Sequence, residues 1–261
     1  DPADATSRER AVEDYASTLD SGVAGLRIGL PDEYFGDAVD ADVQASIMAA
    51  VQALEKAGAR IVRVKLPHTS YAIPVYYIVA TAEASSNLAR FDGVRFGHRS
   101  AAGDDLAKLF SETRHEGFGK EVRRRILLGT FCLSSGYYDA YYERALRVRT
   151  LISRDFEQAF RECDVIASPT TPTPAFRLGE KSSDPLQMYL SDILTGACNL
   201  AGLPGLVVPS GFVQRESVRL PVGLQLMGPH WSEGTLFRAG RTIERAFGHE
   251  NLAATAPEAV R

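Results

Sequence analysis

Hydrophobic and polar positions change period several times along the chain, and each change marks an element. Residues 25–31 (GLRIGLP) form a short apolar run closed by proline, and beyond an acidic stretch Val43, Ile47, Val51 and Leu54 recur at helical spacing. This predicts a strand followed by a helix, with Gly58 placed where a helix-ending glycine belongs. Residues 60–67 alternate with period two in β-branched side chains and predict a second strand. A strand, helix and strand of this length imply a right-handed parallel crossover.

From residue 71 to residue 161 the pattern becomes long stretches rich in Ala, Leu, Arg and Glu, broken at Gly93, Gly97, Gly103, Gly117 and Gly136. Residues 71–163 are therefore expected to be mainly helical. Within them Tyr138, Tyr142, Leu146, Arg149, Ile152 and Phe156 mark one long amphipathic helix ending near Cys163. Strands restart at 164–169, and TTPTP at 170–174 is an extended loop, because each proline pushes its predecessor out of the helical region. That loop is expected to pack against the body. Residues 206–209 and 222–227 read as an antiparallel hairpin turning at the polar 214–217. Ser232 is placed to cap a last helix carrying Leu236, Ala239, Ile243 and Phe247, with Gly248 ending it and a frayed tail beyond. Without an internal repeat, low-complexity segment or clear linker, one α/β body with a helical insertion is the economical account.

At 261 residues, 45% of them apolar and 24% charged, the chain can bury a full core without demanding two domains. A formal net charge of -4 argues against a protein whose main role is to hold a phosphate backbone, so any nucleic-acid contact is expected to be local or made by a partner. Cys132, Cys163 and Cys198 lie far apart in apolar stretches, without CxxC spacing or neighbouring histidines, and are expected to be buried, reduced thiols. No apolar run approaches the roughly 20 residues needed to span a bilayer, and no secretory signal pattern opens the chain. The expected location is the cytoplasm or an organelle matrix. Residues 1–7 (DPADATS) have no initiating Met and are expected to be the interior of a longer chain.

The residues suited to chemistry are few. His68, His98, His115, His230 and His249 show no paired i, i+4 spacing, so no metal site is assigned. GxGxxG and P-loop patterns are absent, and Gly196, Gly202 and Gly205 sit in an apolar, Pro-containing segment with no Lys-Ser/Thr pair following. Ser134-Ser135-Gly136 lacks the preceding glycine and strand of a nucleophile elbow. What remains is a set of groups suited to a zwitterion. Arg125 ends the run Arg123-Arg124-Arg125 against Ile126, Leu127 and Leu128 and could present a planar fork to a carboxylate, although composition alone favours a solvated basic helix face. Asp192 precedes the apolar 193–200 and reads about equally as a helix-start residue or as the partner of a ligand ammonium. Tyr76 and Tyr77, amid Val75, Ile78 and Val79, read as core tyrosines whose hydroxyls find partners.

Several strings together go further. Residues 1–7 resemble the DPxDxTS segment that lies downstream of the nucleophile in amidase signature enzymes. Residues 83–97 are similar to EASSNLxRFDGxRxG, residues 116–119 with Arg125 to EGFGxExxRRI, and residues 128–142 to LGTFxLSSGYYDAYY. NLAGLPG at 199–205 and the PxGLQ pattern at 221–225 occur widely in amidases, whereas the FDG and SSGYYDAYY strings are distinctive. Over nearly its whole length the sequence thus resembles the amidase signature family. Within it, the likeness is to the C-terminal half of the A subunits of glutamyl-tRNA(Gln)/aspartyl-tRNA(Asn) amidotransferases.

The resemblance implies an α/β fold, part of the amidase signature fold, with a mixed β-sheet flanked by helices and a helical middle section. Residues 1–261 would be the C-terminal portion of one amidase domain, with 71–163 the helical section within it. The family's triad of a lysine, a cis-peptide serine and a nucleophilic serine would lie upstream, leaving no catalytic residue in this chain. Its glutamine pocket falls here on Tyr76, Arg125 and Asp192: Arg125 for the carboxylate, Asp192 for the ammonium, and Tyr76 lining the pocket and hydrogen-bonding the ligand. The activity implied is hydrolysis of glutamine to ammonia for tRNA-dependent amidation. This chain would bind no cofactor; ATP and Mg would be used by the B subunit, which also meets most of the tRNA, while the small C subunit braces the assembly, away from any membrane. The alternatives are a stand-alone amidase acting on other amides and a truncated, non-catalytic interaction module. This polypeptide alone is expected to be inactive and poorly soluble.

Overall fold

A computed structural model describes residues 1–102, 105–180 and 185–248; His249 and the tail beyond it, along with Gly103, lie outside the described residues. In chain order the elements are α1 Tyr15–Thr18, β1 Arg27–Pro31, α2 Ala41–Lys56, β2 Arg60–Val64, α3 Ala72–Asn87, α4 Leu106–Gly117, α5 Lys120–Leu133 and α6 Arg144–Glu162. They continue as β3 Val165–Pro169, α7 Pro185–Leu190, α8 Gly196–Ala201, β4 Gly205–Arg215, β5 Val218–Met227 and α9 Glu233–Ala246. The chain divides into two compact units: unit one is Asp1–Leu66, Glu157–Cys198 and Gly202–Arg261, and unit two is Pro67–Phe156 with Asn199–Ala201.

Unit one holds a mixed five-stranded sheet in the order β2-β1-β3-β5-β4. β1 pairs parallel with β2, Arg27 opposite Arg60, and parallel with β3, Ile28 opposite Val165. β5 runs antiparallel to both β3 and β4. β1 and β2 pair in parallel with α2 between them in the chain, as the strand, helix and strand pattern implied. Val43, Ile47, Val51 and Leu54 all lie buried on α2, which packs with α9 against β4 and β5. Gly58 follows α2 at φ +95, a conformation costly for any residue with a Cβ. At Gly29 the centre of the sheet is so tight that a Cβ would stand 2.7 Å from the Cys163 sulfur.

Two sequence expectations are corrected, and a third, Ser232 as the cap of the last helix, holds in position but not in its side-chain bond. The hairpin strands run to Arg215 and from Val218, far longer than 206–209 and 222–227, because a bulge between Pro209 and Gly211 breaks the period of two without ending the ladder. The single helix expected from Tyr138 begins instead as a π-helical stretch, Tyr138–Glu143, before α6. That wider winding is invisible to a 3.6-residue period. Ser232 does precede α9, but its hydroxyl donates to the Pro229 carbonyl, and its own carbonyl accepts from the Thr235 and Leu236 amides. The TTPTP loop packs against its body as expected: Thr170 donates to the Gly223 carbonyl, and the Pro172 carbonyl accepts from the Asp40 amide. All three cysteines are buried free thiols. No helix among the described residues is long and apolar enough to cross a membrane.

Candidate functional site

Unit two is built around α3 and α5 lying side by side. Arg125 reaches Tyr76, Gly129 meets Thr81, and the Thr130 hydroxyl bonds the Ser85 hydroxyl at 2.9 Å, so the helices run in the same direction through the contact. Gly129 sets how close they come. A Cβ there would lie 1.9 Å from the Thr81 carbonyl oxygen and 2.8 Å from the Ser85 Cβ. Only a residue without a side chain lets α5 approach the backbone of α3 this closely.

One turn before that contact, the Arg125 guanidinium is held from three sides. Its Nη1 donates to the Tyr76 hydroxyl at 3.2 Å, and its Nε donates to Glu121 Oε1 at 3.1 Å, one helical turn back. Its planar head lies 5.9 Å from the centre of the Tyr77 ring. Tyr77 in turn meets Tyr76 edge to face, ring centres 5.1 Å apart. Burial works against the Arg125 charge, but the hydrogen bonds to Tyr76 and Glu121 outweigh it, and its pKa is raised. With Nε engaged by Glu121, the fork can grip a carboxylate end-on through Nη1 and Nη2. The Tyr76 hydroxyl, accepting from Arg125, keeps its proton to donate. Arg124, by contrast, is exposed and pairs with Glu121 at 3.0 Å.

Asp192 belongs to unit one, exposed at the turn before α8. The capping there is done by its main chain: the Asp192 carbonyl accepts from the Thr195 and Gly196 amides. The same turn is tied down by Gln225, a buried amide whose Nε2 donates to the Leu194 carbonyl at 3.0 Å and to the Ser168 hydroxyl at 3.1 Å. The glutamine of the PxGLQ string is therefore a brace for the segment carrying Asp192. Tyr76 and Arg125 are brought into direct contact, and Asp192 is placed by a separate set of bonds.

Sequence reasoning overlooked Glu121, Tyr77 and Gly129 as parts of the Arg125 setting. The signal for Glu121 was its i, i+4 spacing to Arg125. The FDG string is largely occupied in holding its own loop. Arg114 Nη1 donates to the Leu88 and Phe91 carbonyls, and Arg99 Nη1 to the Gly93 carbonyl. His98 Nε2 meets Glu116 at 2.6 Å, and Ser100 donates to the same carboxylate at 2.9 Å. Those bonds hold Glu116 below the usual carboxylate range, His98 contributing most. No group of three or more His, Cys, Asp or Glu among the described residues could hold a metal ion. A cleft of about 530 Å³ in unit one contains neither Tyr76, Arg125 nor Asp192. Its charges pair with one another, Arg215 with Asp40 at 2.8 Å and Arg177 with Glu216 at 2.7 Å.

The chain belongs to the amidase family, whose model matches residues 1–237. It is 54% identical over 246 residues to the A subunit of the glutamyl-tRNA(Gln) amidotransferase of Koribacter versatilis, covering 94% of this chain and 51% of that protein. The protein of the same name from Anaeromyxobacter sp. strain K is 56% identical over 248 residues, 95% of this chain and 50% of that one. The crystal structure of the glutamyl-tRNA(Gln) amidotransferase A subunit from Thermotoga maritima superposes with a TM-score of 0.70 at 39% identity, over 94% of this chain and 47% of that chain. A bacterial aryl acylamidase shares the fold at TM-score 0.67 and 21% identity, over 95% of this chain and 50% of its own. The chain spans about half the length of the curated relatives it matches.

Proposed function

We propose that residues 1–261 form the C-terminal portion of one amidase domain, with 71–163 its mainly helical section, in the glutamine-hydrolysing component of a tRNA-dependent amidotransferase. The observation that carries this reading is the braced Arg125 fork, in a chain more than half identical to proteins named as such components. Arg125 takes the carboxylate of glutamine, Asp192 its ammonium, and Tyr76 donates its hydroxyl proton to the ligand. A ligand lacking either charged end forgoes one of these two contacts, which is how the site prefers glutamine to simple amides. The remaining half of the domain supplies the lysine and two serines. There an acyl-serine forms, ammonia leaves and water releases glutamate.

The ammonia serves a partner protein that activates Glu-tRNA(Gln) or Asp-tRNA(Asn) with ATP and magnesium, in a three-protein assembly with a small bracing component, in the cytoplasm or an organelle matrix. The test is Arg125→Ala in the complete enzyme. Losing one partner of a hydrogen-bonded charge pair that is about one-third exposed costs about 2–3 kcal/mol, raising the glutamine KM roughly 30- to 150-fold. Unchanged glutamine kinetics would remove Arg125 from the site. Ammonia release independent of partner proteins and tRNA would favour a stand-alone amidase.

A further inference from the structure

Asp192 is located by its main chain. Its amide donates to the Tyr189 carbonyl, and its own carbonyl accepts from the Thr195 and Gly196 amides and from the Thr195 hydroxyl. Among the described residues its exposed carboxylate takes no hydrogen bond or ion pair. A side chain with no such partner points where its backbone sends it, so whatever fixes this turn also fixes the aim of the carboxylate.

The bonds from Tyr189 to Gly196 shape the turn from within, and Gln225 ties it to the sheet. Two residues after Asp192, the Leu194 carbonyl accepts from Gln225 Nε2 at 3.0 Å, and the same nitrogen donates to Ser168 Oγ at 3.1 Å. Ser168 gives its own proton to the Pro169 carbonyl at 3.2 Å, which leaves its oxygen lone pairs to accept. Ser168 and Gln225 are both buried and stand opposite each other on β3 and β5, two interior strands of the sheet. A carbonyl can only accept, so the Gln225 amide must turn its nitrogen toward Leu194. Leu194 is itself buried. Without the donor its carbonyl loses its bond, and the turn recovers one only by swinging toward water, carrying Asp192 with it.

We propose that Gln225 is a positioning residue for the ammonium end of the ligand: with Ser168 it fixes the 191–196 turn over β3 and β5 and so aims the Asp192 carboxylate. The inference rests on the reading of Asp192 given above and extends it to a residue that touches no ligand. Gln225 therefore acts on the choice between amides that carry an α-ammonium and amides that lack one. It has no part in the bond-breaking step.

The experiment measures kcat and KM in the complete enzyme for glutamine and for 4-carbamoylbutanoate, which is glutamine without its α-ammonium. Gln225→Met keeps the length of the side chain but not its donor. It should raise the glutamine KM about tenfold, with kcat for glutamine and kcat/KM for 4-carbamoylbutanoate each within about twofold of the unsubstituted enzyme. Ser168→Ala removes only the second acceptor and should raise the glutamine KM about threefold with the same split. Asp192→Ala should raise it roughly 30-fold, and adding Gln225→Met to that variant should change it by less than about twofold, because the contact being aimed is already gone. Equal losses on the two amides, or a full tenfold loss on top of Asp192→Ala, would make Gln225 a purely structural residue and overturn the proposal while leaving the assignment of Asp192 intact. If Asp192→Ala by itself leaves the preference between the two amides unchanged, the ammonium assignment falls and this inference falls with it. Circular dichroism checks folding, and if Gln225→Met does not fold, the same comparison is decided on Ser168→Ala, where an effect absent or equal on both amides overturns the proposal.

Discussion

Gly129→Ala is the sharpest test of how Arg125 is positioned. The new Cβ would start 1.9 Å from the Thr81 carbonyl oxygen and 2.5 Å from the Thr81 carbonyl carbon, both backbone atoms that no rotamer change can move. The helices must part by about 1.1 Å to restore even the 3.0 Å below which real Cβ contacts are essentially unknown. Overpacking of this kind costs about 1–3 kcal/mol or more, while the better helix propensity of alanine returns at most ~1 kcal/mol. A net loss of about 1–2 kcal/mol is expected, read as a lower urea midpoint by circular dichroism, with faster amide exchange in α3 and α5. The displacement also exceeds the slack in the 3.2 Å bond between Arg125 and Tyr76, so that bond should break. Gly36→Ala, where a Cβ meets nothing within 4 Å and φ is not left-handed, should leave the midpoint nearly unchanged. A midpoint unchanged or raised in Gly129→Ala would refute the close approach of the two helices and, with it, this account of the site.

Gly29→Ala should destabilise the sheet of unit one by about 1–3 kcal/mol, because its Cβ meets the Cys163 sulfur at 2.7 Å. Adding Cys163→Ala should recover more than half of that loss in a urea titration, and strict additivity of the two changes would contradict the clash. The thiols give a pH prediction. Burial pushes Cys163 up to about 12 and Cys198 to about 11, so at pH 8 neither forms thiolate in the folded chain, and iodoacetamide should label them only when urea unfolds it. Unfolded thiols ionise near about 8.5, so the folded chain binds more protons above that pH. These two groups should therefore leave stability unchanged below about pH 8 and lower it progressively toward pH 11. Rapid labelling of Cys163 in the native chain at pH 8 would contradict its burial.

Local elements whose signals sit within a few residues of one another were legible in the chain before any coordinates. The strand at 27–31, the buried stripe of α2, the glycine at 58 and the strand at 60–64 could be read because burial imposes a period and a left-handed cap demands a residue without Cβ. The full hairpin could not, since a bulge at 209–211 shifts the alternation while the ladder between strands continues. Nor could the π-helical start before α6, which has a different period. The strings that pointed to Tyr76, Arg125 and Asp192 did so by likeness to a family, because nothing in their spacing distinguishes a ligand-gripping arginine from a solvated one. What holds Arg125 was settled in three dimensions. Tyr76 lies 49 positions away, and it reaches the guanidinium because Gly129 lets α5 touch the main chain of α3. Such a register depends on the shapes of two surfaces that meet after folding, and no local pattern encodes it.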